Sequence, residues 1–472
     1  MIGKIFKAYD VRATYPVPLD EDAARKVGFA AGQFLQQQKD TGQVRERAVL
    51  VSRDMRPHSE SLCKALCEGL LASGVDVIDL GLCDTSFKYF AINHVGALGG
   101  IQTTASHNPI NYNGFKISAI QGKPVGADSG LKVIQKTVEG LSGDEKGPAK
   151  GKLTRRDLWA PYRTHVLGFL TPLKRKLRVF IDASNGMAGK MVPAVFDGVP
   201  NLEIVKLNFA IGGAFAHEPN PLVAANMKPT QDGVKEHQAD LGACFDGDAD
   251  RCILTDEKGA IIGCDHLTAL LTHHFVARDR TNPVVHQSTI VYDLRSSKVV
   301  EETIKSLDAV PRRSRVGHVF MKALLRDTKG TFGGELSGHF YFRDNFYCDS
   351  GAIAMACVLD VLNANPGKTF NQLIAPFIKY PQSGEINFRA EDKAGVLASL
   401  KKKYESQGKI DDLDGVTIDC WDTASGGGFW FNVRASNTEP LLRLNAEAKD
   451  KPTLGKLLAD ITPMLGQVDH GH

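Results

Sequence analysis

Three times along the chain an apolar run ends in an Asp-containing turn and then gives way to an apolar pattern with helical spacing. The segments are Ala48-Val49-Leu50-Val51-Ser52-Arg53-Asp54 before Ser59–Leu71, Leu177-Arg178-Val179-Phe180-Ile181-Asp182 before Gly189–Phe196, and Thr289-Ile290-Val291-Tyr292-Asp293 before Lys298–Leu307. Strands alternating with helices constrain a chain to layered α/β folding. The recurrence, at a spacing of roughly 110–130 residues, points to three related domains. The last hundred residues break the pattern. A helix-like stretch, Thr369–Tyr380, lies between Pro366-Gly367 and Pro381. It is followed by an alternating strand (Gly384–Phe388), a helix (Gly395–Gln407), two strands (Val416–Trp421 and Phe429–Arg434) and a final helix (Thr453–Met464). This suits a smaller α+β domain with one solvated sheet face. The expected division is 1–150, 151–256 and 257–368 as three α/β domains and 369–472 as the α+β domain. The turn-rich stretch Ser142-Gly143-Asp144-Glu145-Lys146-Gly147-Pro148 serves as a linker.

Composition excludes several function classes. The formal net charge is only +3, with both signs mixed along the chain, so neither a nucleic-acid arm nor a basic membrane helix is present. Lys401-Lys402-Lys403 reads as the solvated face of a helix. No stretch of 18 apolar residues occurs, so no membrane span is expected. The first ten residues lack the pattern of a cleaved leader. The nine cysteines are scattered without a C-x-x-C pair, which fits buried reduced thiols and a cytoplasmic protein. Neither G-x-G-x-x-G opening a helix after a strand nor G-x-x-x-x-G-K-[ST] occurs, so nucleotide binding has no support.

Four loops carry reactive side chains. In Thr103-Thr104-Ala105-Ser106-His107-Asn108-Pro109, small and polar residues with Pro build a defined turn that can present the Ser106 hydroxyl. His107 and Lys116 can place positive charge or a proton nearby. Alone, this loop favours a plainer reading, a turn whose hydroxyls bond local backbone. Asp246-Gly247-Asp248-Ala249-Asp250-Arg251 sets three carboxylates at alternate positions between two apolar runs. Such like charges repel unless a hard cation neutralises them. An EF-hand would put Gly where Arg251 stands and helices on the flanks, and is rejected. Magnesium shared with a phosphate fits better, with Arg251 binding a phosphate oxygen. Gly333-Gly334-Glu335-Leu336-Ser337-Gly338-His339 allows close backbone approach and offers Glu335 and Ser337 to sugar hydroxyls, with His339 able to move a proton. Arg434-Ala435-Ser436-Asn437-Thr438-Glu439-Pro440 follows a strand with the groups of a phosphate cradle, although it also reads as a capped turn.

Together, in this order, the four loops resemble those of the α-D-phosphohexomutase superfamily: T-A-S-H-N-P as phosphoserine loop, D-G-D-A-D-R as metal loop, G-E-L-S-G-H as sugar loop and R-A-S-N-T-E-P as phosphate loop. Phe6–Arg12, Asp54-Met55-Arg56-Pro57, His217–Leu222 and Arg315-Val316-Gly317-His318 match as well, and the resemblance spans nearly the whole chain. It implies four domains around a central cleft, each giving one loop. It implies Ser106 as phosphoserine, and Ser106 with Asp246, Asp248 and Asp250 as Mg2+ ligands. It implies Lys116, Arg251 and His339 as catalytic groups, with His339 or Lys116 as general base. Substrate would be bound by Tyr9, Arg12, Arg295, His318, Glu335, Ser337, Arg434, Ser436, Asn437 and Thr438. Ala13 stands where the family commonly has glycine, and Leu336 replaces a frequent Met.

The G-E-L-S-G-H loop resembles that of phosphomannomutase/phosphoglucomutase enzymes; phosphoglucosamine mutases usually have Gln at the Leu336 position. The implied reaction interconverts mannose or glucose 1-phosphate and 6-phosphate through a 1,6-bisphosphosugar, with hexose 1,6-bisphosphate as activator. A loop that reads O3 and O4 separates C2 epimers weakly, so both sugars are expected, mannose foremost. A phosphoglucosamine mutase and a magnesium-dependent sugar-phosphate hydrolase are the alternative enzymes, and a non-catalytic sensor the alternative outside catalysis. A monomer or dimer is expected.

Overall fold

The protein, a computed structural model, is described for residues 2–40, 42–147, 150–212, 214–422, 427–436 and 441–469. It divides into two compact units, Met1–Cys264 with Lys322–Leu373, and Asp265–Met321 with Ile374–His472.

The first unit begins with a six-stranded sheet in the order Val11–Thr14, Tyr112–Ala119, Ala97–Thr103, Glu46–Arg53, Asp76–Leu82, Leu153–Arg155. Glu46–Arg53 runs parallel to both Asp76–Leu82 and Ala97–Thr103, with Arg53 opposite Leu82 and Thr103. The loops after these strands therefore leave one edge of the sheet, the edge where open α/β sheets bind ligands. They carry Asp54–Pro57, Cys83–Asp84 and Thr104–Asn111. Tyr112–Ala119 then returns antiparallel. Helix Glu21–Gln36 shows why the helices form where they do. Asp20 caps it by accepting from Ala23 N, Glu21 and Asp22 favour its first turn, and Ala23, Ala24, Val27, Ala31 and Leu35 form its buried face.

A four-stranded sheet follows, in the order Cys252–Asp256, Leu241–Phe245, Leu177–Asp182, Leu202–Leu207. Asp182 lies opposite Leu207 and Cys244, so these carboxyl ends also share an edge. Residues 246–251 turn there between the antiparallel strands Leu241–Phe245 and Cys252–Asp256. Later in this unit Phe332–Gly334 pairs antiparallel with Phe340–Phe342, which makes residues 335–339 a hairpin connection. Tyr341 in turn lies opposite Asp349.

In the second unit Thr289–Asp293 and Val310–Ser314 are parallel, joined by helix Lys298–Ser306. A six-stranded antiparallel sheet follows, in the order Lys409–Asp411, Val416–Asp419, Phe429–Ala435, Leu441–Ala448, Gln382–Arg389, Gln467–Asp469. One face packs Phe388, Phe431, Val433, Leu442 and Leu444 with Leu400, Tyr404, Leu457 and Ile461 of helices Lys393–Tyr404 and Lys451–Leu465. The alternate residues Asn387, Asn432, Arg434, Arg443 and Asn445 belong to the other face, as the period of two requires. The observed folding is thus α/β layers followed by an antiparallel α+β region.

The helix expected over Thr369–Tyr380 is shorter. It runs from Phe370 to Ile374 and tightens into a 3-10 turn at Ala375–Phe377. Pro376 has no N–H for the α ladder and disfavours a continuous helix there. The cysteines are all free and buried. No described helix is long and apolar enough to cross a membrane.

Candidate active site

Ser106 sits at the tip of the loop after Ala97–Thr103, with φ 51°, a left-handed conformation unusual for serine. Its N–H donates to Thr104 Oγ1 at 2.9 Å, and its hydroxyl donates to Asp246 Oδ2 at 2.8 Å and lies 3.4 Å from His107 Nδ1. Gly247 makes this approach possible: a Cβ on it would stand 2.3 Å from the Ser106 carbonyl oxygen. Ala249, two residues on, also has positive φ. Two loops from different sheets thus meet backbone to backbone.

Asp246, Asp248 and Asp250 are buried, and one oxygen of each lies within 4.8 Å of the others. Lys116, from the returning strand, reaches across to Asp248 at 2.7 Å and Asp250 at 2.6 Å. Asp248 also accepts from the Thr85 hydroxyl, while its carbonyl accepts from Thr85 N at 3.1 Å. Oδ1 of Asp248 and of Asp250 are buried without a hydrogen-bond partner. Such orphaned carboxylate oxygens suit a hard divalent cation, so this donor set fits magnesium. Burial pushes the Asp246 carboxyl up to about 8, with repulsion from Asp250 and Asp248 adding to it. Burial also opposes ionisation of Asp248, but the Lys116 charge outweighs it and holds the carboxyl below its ordinary range. The Lys116 ammonium is correspondingly held above its ordinary value, the aspartates overcoming burial.

Arg251 links this cluster to the hairpin at 335–339. Its N–H donates to Asp246 Oδ1 at 3.2 Å, and its Nε donates to His339 Nε2 at 3.0 Å. On the other side of the ring, His339 Nδ1 lies 2.7 Å from Asp349, which is wholly buried and also 2.7 Å from the Lys322 ammonium. Burial disfavours the charged imidazole, yet Asp250 and Asp349 raise its pKa above the ordinary value. Asp250, His339 and Asp349 form a second cluster of possible metal-binding groups. Both ring nitrogens of His339 are already engaged, by Arg251 and by Asp349, so the three aspartates at alternate positions, an all-oxygen set, are the better site for a hard cation. Glu335 is buried and accepts from the Tyr341 hydroxyl at 2.7 Å, while the Ser337 hydroxyl is buried with no partner. Arg12 donates to Asn108 Oδ1 at 2.6 Å and pairs with Asp10, leaving its own buried Nε unpartnered. Tyr9 is half-buried nearby in sequence.

Arg295, His318, Arg434 and Ser436 belong to the second unit. Arg295 grips Asp293 through Nε and Nη2 and reaches Glu385 at 3.1 Å. Arg434 reaches the same carboxylate at 3.1 Å and Arg443 at 3.3 Å. Arg434 and Arg443 lie directly opposite each other on neighbouring strands. Like charges so placed repel, and two carboxylates, Asp293 and Glu385, among three guanidinium groups leave net positive charge for an anion. Arg434 Nε is buried without a partner. Ser436 N donates to Leu441 O at 2.8 Å, and Lys393 Nζ donates to Ser436 O at 3.3 Å. His318 opens helix His318–Asp327 and is half-buried. Asn437 and Thr438 lie outside the described residues.

The structure therefore brings Ser106, Lys116, the three aspartates, Arg251 and His339 together. Sequence reasoning did not find Asp349, Glu385 or Arg443, which belong to no recognised loop. It named Arg56 only as part of a matching segment. A charged residue within a strand, as with Glu385 and Arg443, was the one available signal.

Sequence comparison matches residues 3–142, 161–259 and 264–380 to phosphoglucomutase/phosphomannomutase alpha/beta/alpha domains I, II and III, and residues 385–464 to the C-terminal domain of the same proteins. The chain is 35% identical over 474 residues to a phosphomannomutase of Vibrio cholerae, covering 98% of each. Its structure resembles a phosphoglucomutase/phosphomannomutase family protein of Burkholderia thailandensis, with TM-score 0.86, 29% identity and coverage of 98% of this chain and 97% of that one. The fold also resembles an Aspergillus fumigatus N-acetylphosphoglucosamine mutase solved with GlcNAc-6P and magnesium, with TM-score 0.56 and 15% identity over 92% of this chain and 85% of that one.

Proposed function

The chain belongs to the phosphoglucomutase/phosphomannomutase family and is a phosphohexomutase, an intramolecular phosphotransferase, and from that premise we propose that Ser106 is the group that carries the phosphoryl unit. The observation behind this reading is the convergence on one hydroxyl: Asp246 accepts from Ser106 Oγ at 2.8 Å, with Lys116 and Arg251 placed on the same carboxylate cluster. The proposed substrates are mannose and glucose 1- and 6-phosphates, mannose foremost, with hexose 1,6-bisphosphate as activator and the cytoplasm as location.

In the proposed cycle a sugar hydroxyl attacks phosphorylated Ser106, giving a 1,6-bisphosphosugar. After the intermediate has turned, its other phosphate returns to Ser106. Lys116 and Arg251 balance the charge on the transferring group. His339, or Lys116 in its place, takes the proton from the attacking hydroxyl, with Asp349 at Nδ1 orienting the imidazole ring. Glu335 and Ser337 bind the sugar hydroxyls, and Arg12 and Tyr9 contribute to substrate binding. The phosphate that is not transferred is assigned to Arg434, Ser436, Asn437 and Thr438, with Arg295 and His318. Magnesium on Ser106, Asp246, Asp248 and Asp250 would draw negative charge from the serine phosphate.

Ser106→Ala tests the reading. The expected result is loss of mutase turnover together with loss of the phosphate that intact protein acquires from hexose 1,6-bisphosphate. Normal turnover without an enzyme-bound phosphate would sink the assignment, and steady release of inorganic phosphate by intact protein would favour a hydrolase.

A further inference from the structure

The segment Asp54-Met55-Arg56-Pro57 has no task in the mechanism above, yet Arg56 is the most completely engaged arginine near Ser106. Its side chain has no exposed surface. A guanidinium has five N–H donors in a rigid plane, and here all five have acceptors. Nη2 donates to the carbonyls of Ser106 at 2.9 Å and Asn108 at 2.7 Å. Nη1 donates to those of Pro109 at 2.6 Å and Tyr112 at 3.0 Å. Nε donates to Asp54 Oδ2 at 3.2 Å. Asp54 is itself fixed by Arg56 N at 3.1 Å and by the Ser59 hydroxyl, and the Phe215 ring lies 5.4 Å from the guanidinium carbon.

Arg56 draws together four carbonyl oxygens, three from this loop and one from Tyr112 at the start of the strand after it. Within the loop itself, Asn108 N to Ala105 O and Tyr112 N to Pro109 O are the local backbone turns. They leave the Ser106 and Asn108 carbonyls to a partner fifty residues earlier in sequence. Ser106 also holds a positive φ, a conformation that persists only when surrounding contacts impose it. A lysine could not replace this arrangement. Its single nitrogen carries three donors, too few and too close together to span carbonyls from Ser106 to Tyr112.

We propose that Arg56 is a positioning residue for phosphoryl transfer: by binding the carbonyls of Ser106, Asn108, Pro109 and Tyr112 it holds the Ser106 hydroxyl in line with Asp246. The inference rests on the reading of Ser106 as phosphoryl carrier. Arg56 touches no reacting atom, so its removal acts on the rate of transfer and leaves sugar-phosphate binding in place.

The experiment compares Arg56→Lys, Arg56→Ala and Ser106→Ala in the full chain, measuring mutase kinetics with mannose 1-phosphate and phosphate incorporated from glucose 1,6-bisphosphate. Both Arg56 variants are expected to lose on the order of 100-fold in kcat, the scale of a misplacement of about 1 Å. KM should stay within about threefold, and phosphate incorporation should slow in parallel. Added guanidinium or ethylguanidinium ion is expected to restore Arg56→Ala at least tenfold, roughly, by refilling the site, and to leave Ser106→Ala silent. A purely structural role would not give that rescue. If Arg56→Ala does not fold, Arg56→Lys decides, with slowed phosphate incorporation supporting the proposal and wild-type kcat overturning it. A raised KM at unchanged kcat, or a folded Arg56→Ala without rescue, also overturns it. If Ser106→Ala is silent while the Arg56 variants are normal, only this inference fails. If Ser106→Ala turns over normally, the phosphoserine reading fails and the inference with it.

Discussion

Replacing Lys116 by Met should separate its charge from its length. The ammonium lies 2.7 Å from Asp248 and 2.6 Å from Asp250, and Asp246 completes a buried trio of carboxylates. At an effective dielectric of about 20, each contact is worth several kcal/mol of Coulomb attraction. Desolvation of the buried ammonium offsets most of this. Removing one partner of such a cluster leaves uncompensated charge, at a cost of about 3–5 kcal/mol. The urea slope grows with the surface exposed and for a chain of this size exceeds the roughly 1–3 kcal/mol/M of small proteins, so the midpoint of the unfolding transition in EDTA should fall by at most about 1.5 M. A divalent cation answers the same carboxylates. At a hundredfold excess over its Kd it stabilises by about 2.7 kcal/mol, and in Lys116→Met it no longer competes with an internal ammonium. The shift between EDTA and Mg2+ should therefore be larger in the variant than in the parent. Urea unfolding of both proteins, with and without Mg2+, measures this directly. A midpoint in EDTA unchanged by the substitution, or a Mg2+ shift equal in both proteins, would refute the view that Lys116 and the cation share one set of oxygens.

Other tests address separate parts of the site. His217 Nε2 lies 2.9 Å from Asp182 and its Nδ1 2.8 Å from the Glu218 carbonyl, and the bond to Asp182 raises the imidazole pKa above its ordinary value. A raised folded pKa gives stability that is fully present below the unfolded value of about 6.5 and fades as pH rises through the folded one. His217→Gln should therefore lower the urea midpoint more at acidic than at alkaline pH, and an equal loss at both would argue against a charged His217. Asp349→Asn should lower kcat on the order of 100-fold, by freeing the His339 ring and its tautomer, with KM little changed; a selective rise in KM would place Asp349 in binding instead. Arg434→Met should raise KM for both the 1- and the 6-phosphate, since the proposed cycle has this residue hold the phosphate that stays behind in each pose, and an unchanged KM for both would remove Arg434 from that role.

The residues of each reactive loop were legible in the sequence because loops of this kind are contiguous. Three aspartates at alternate positions carry their chemistry wherever the chain places them. The strand and helix patterns were equally local: Phe429–Arg434 read as a strand, and the structure shows its Phe431 and Val433 in the core with Arg434 on the other face. Ser106 by itself read more readily as an ordinary turn residue. Its meaning comes from Asp246, 140 positions away, whose carboxylate meets its hydroxyl because Gly247 lets two loops touch. Arg56, Asp349, Glu385 and Arg443 could not be assigned roles from sequence for the same physical reason. A lone charged side chain within or beside a strand has no local signature of its partners, and only the packing of the sheets decides whether it meets water, a carbonyl or another charge. The sequence by itself thus determined the layered α/β architecture and the reactive side chains of the four loops. The tertiary structure decided which of those groups share one buried carboxylate cluster, and which silent residues hold them there.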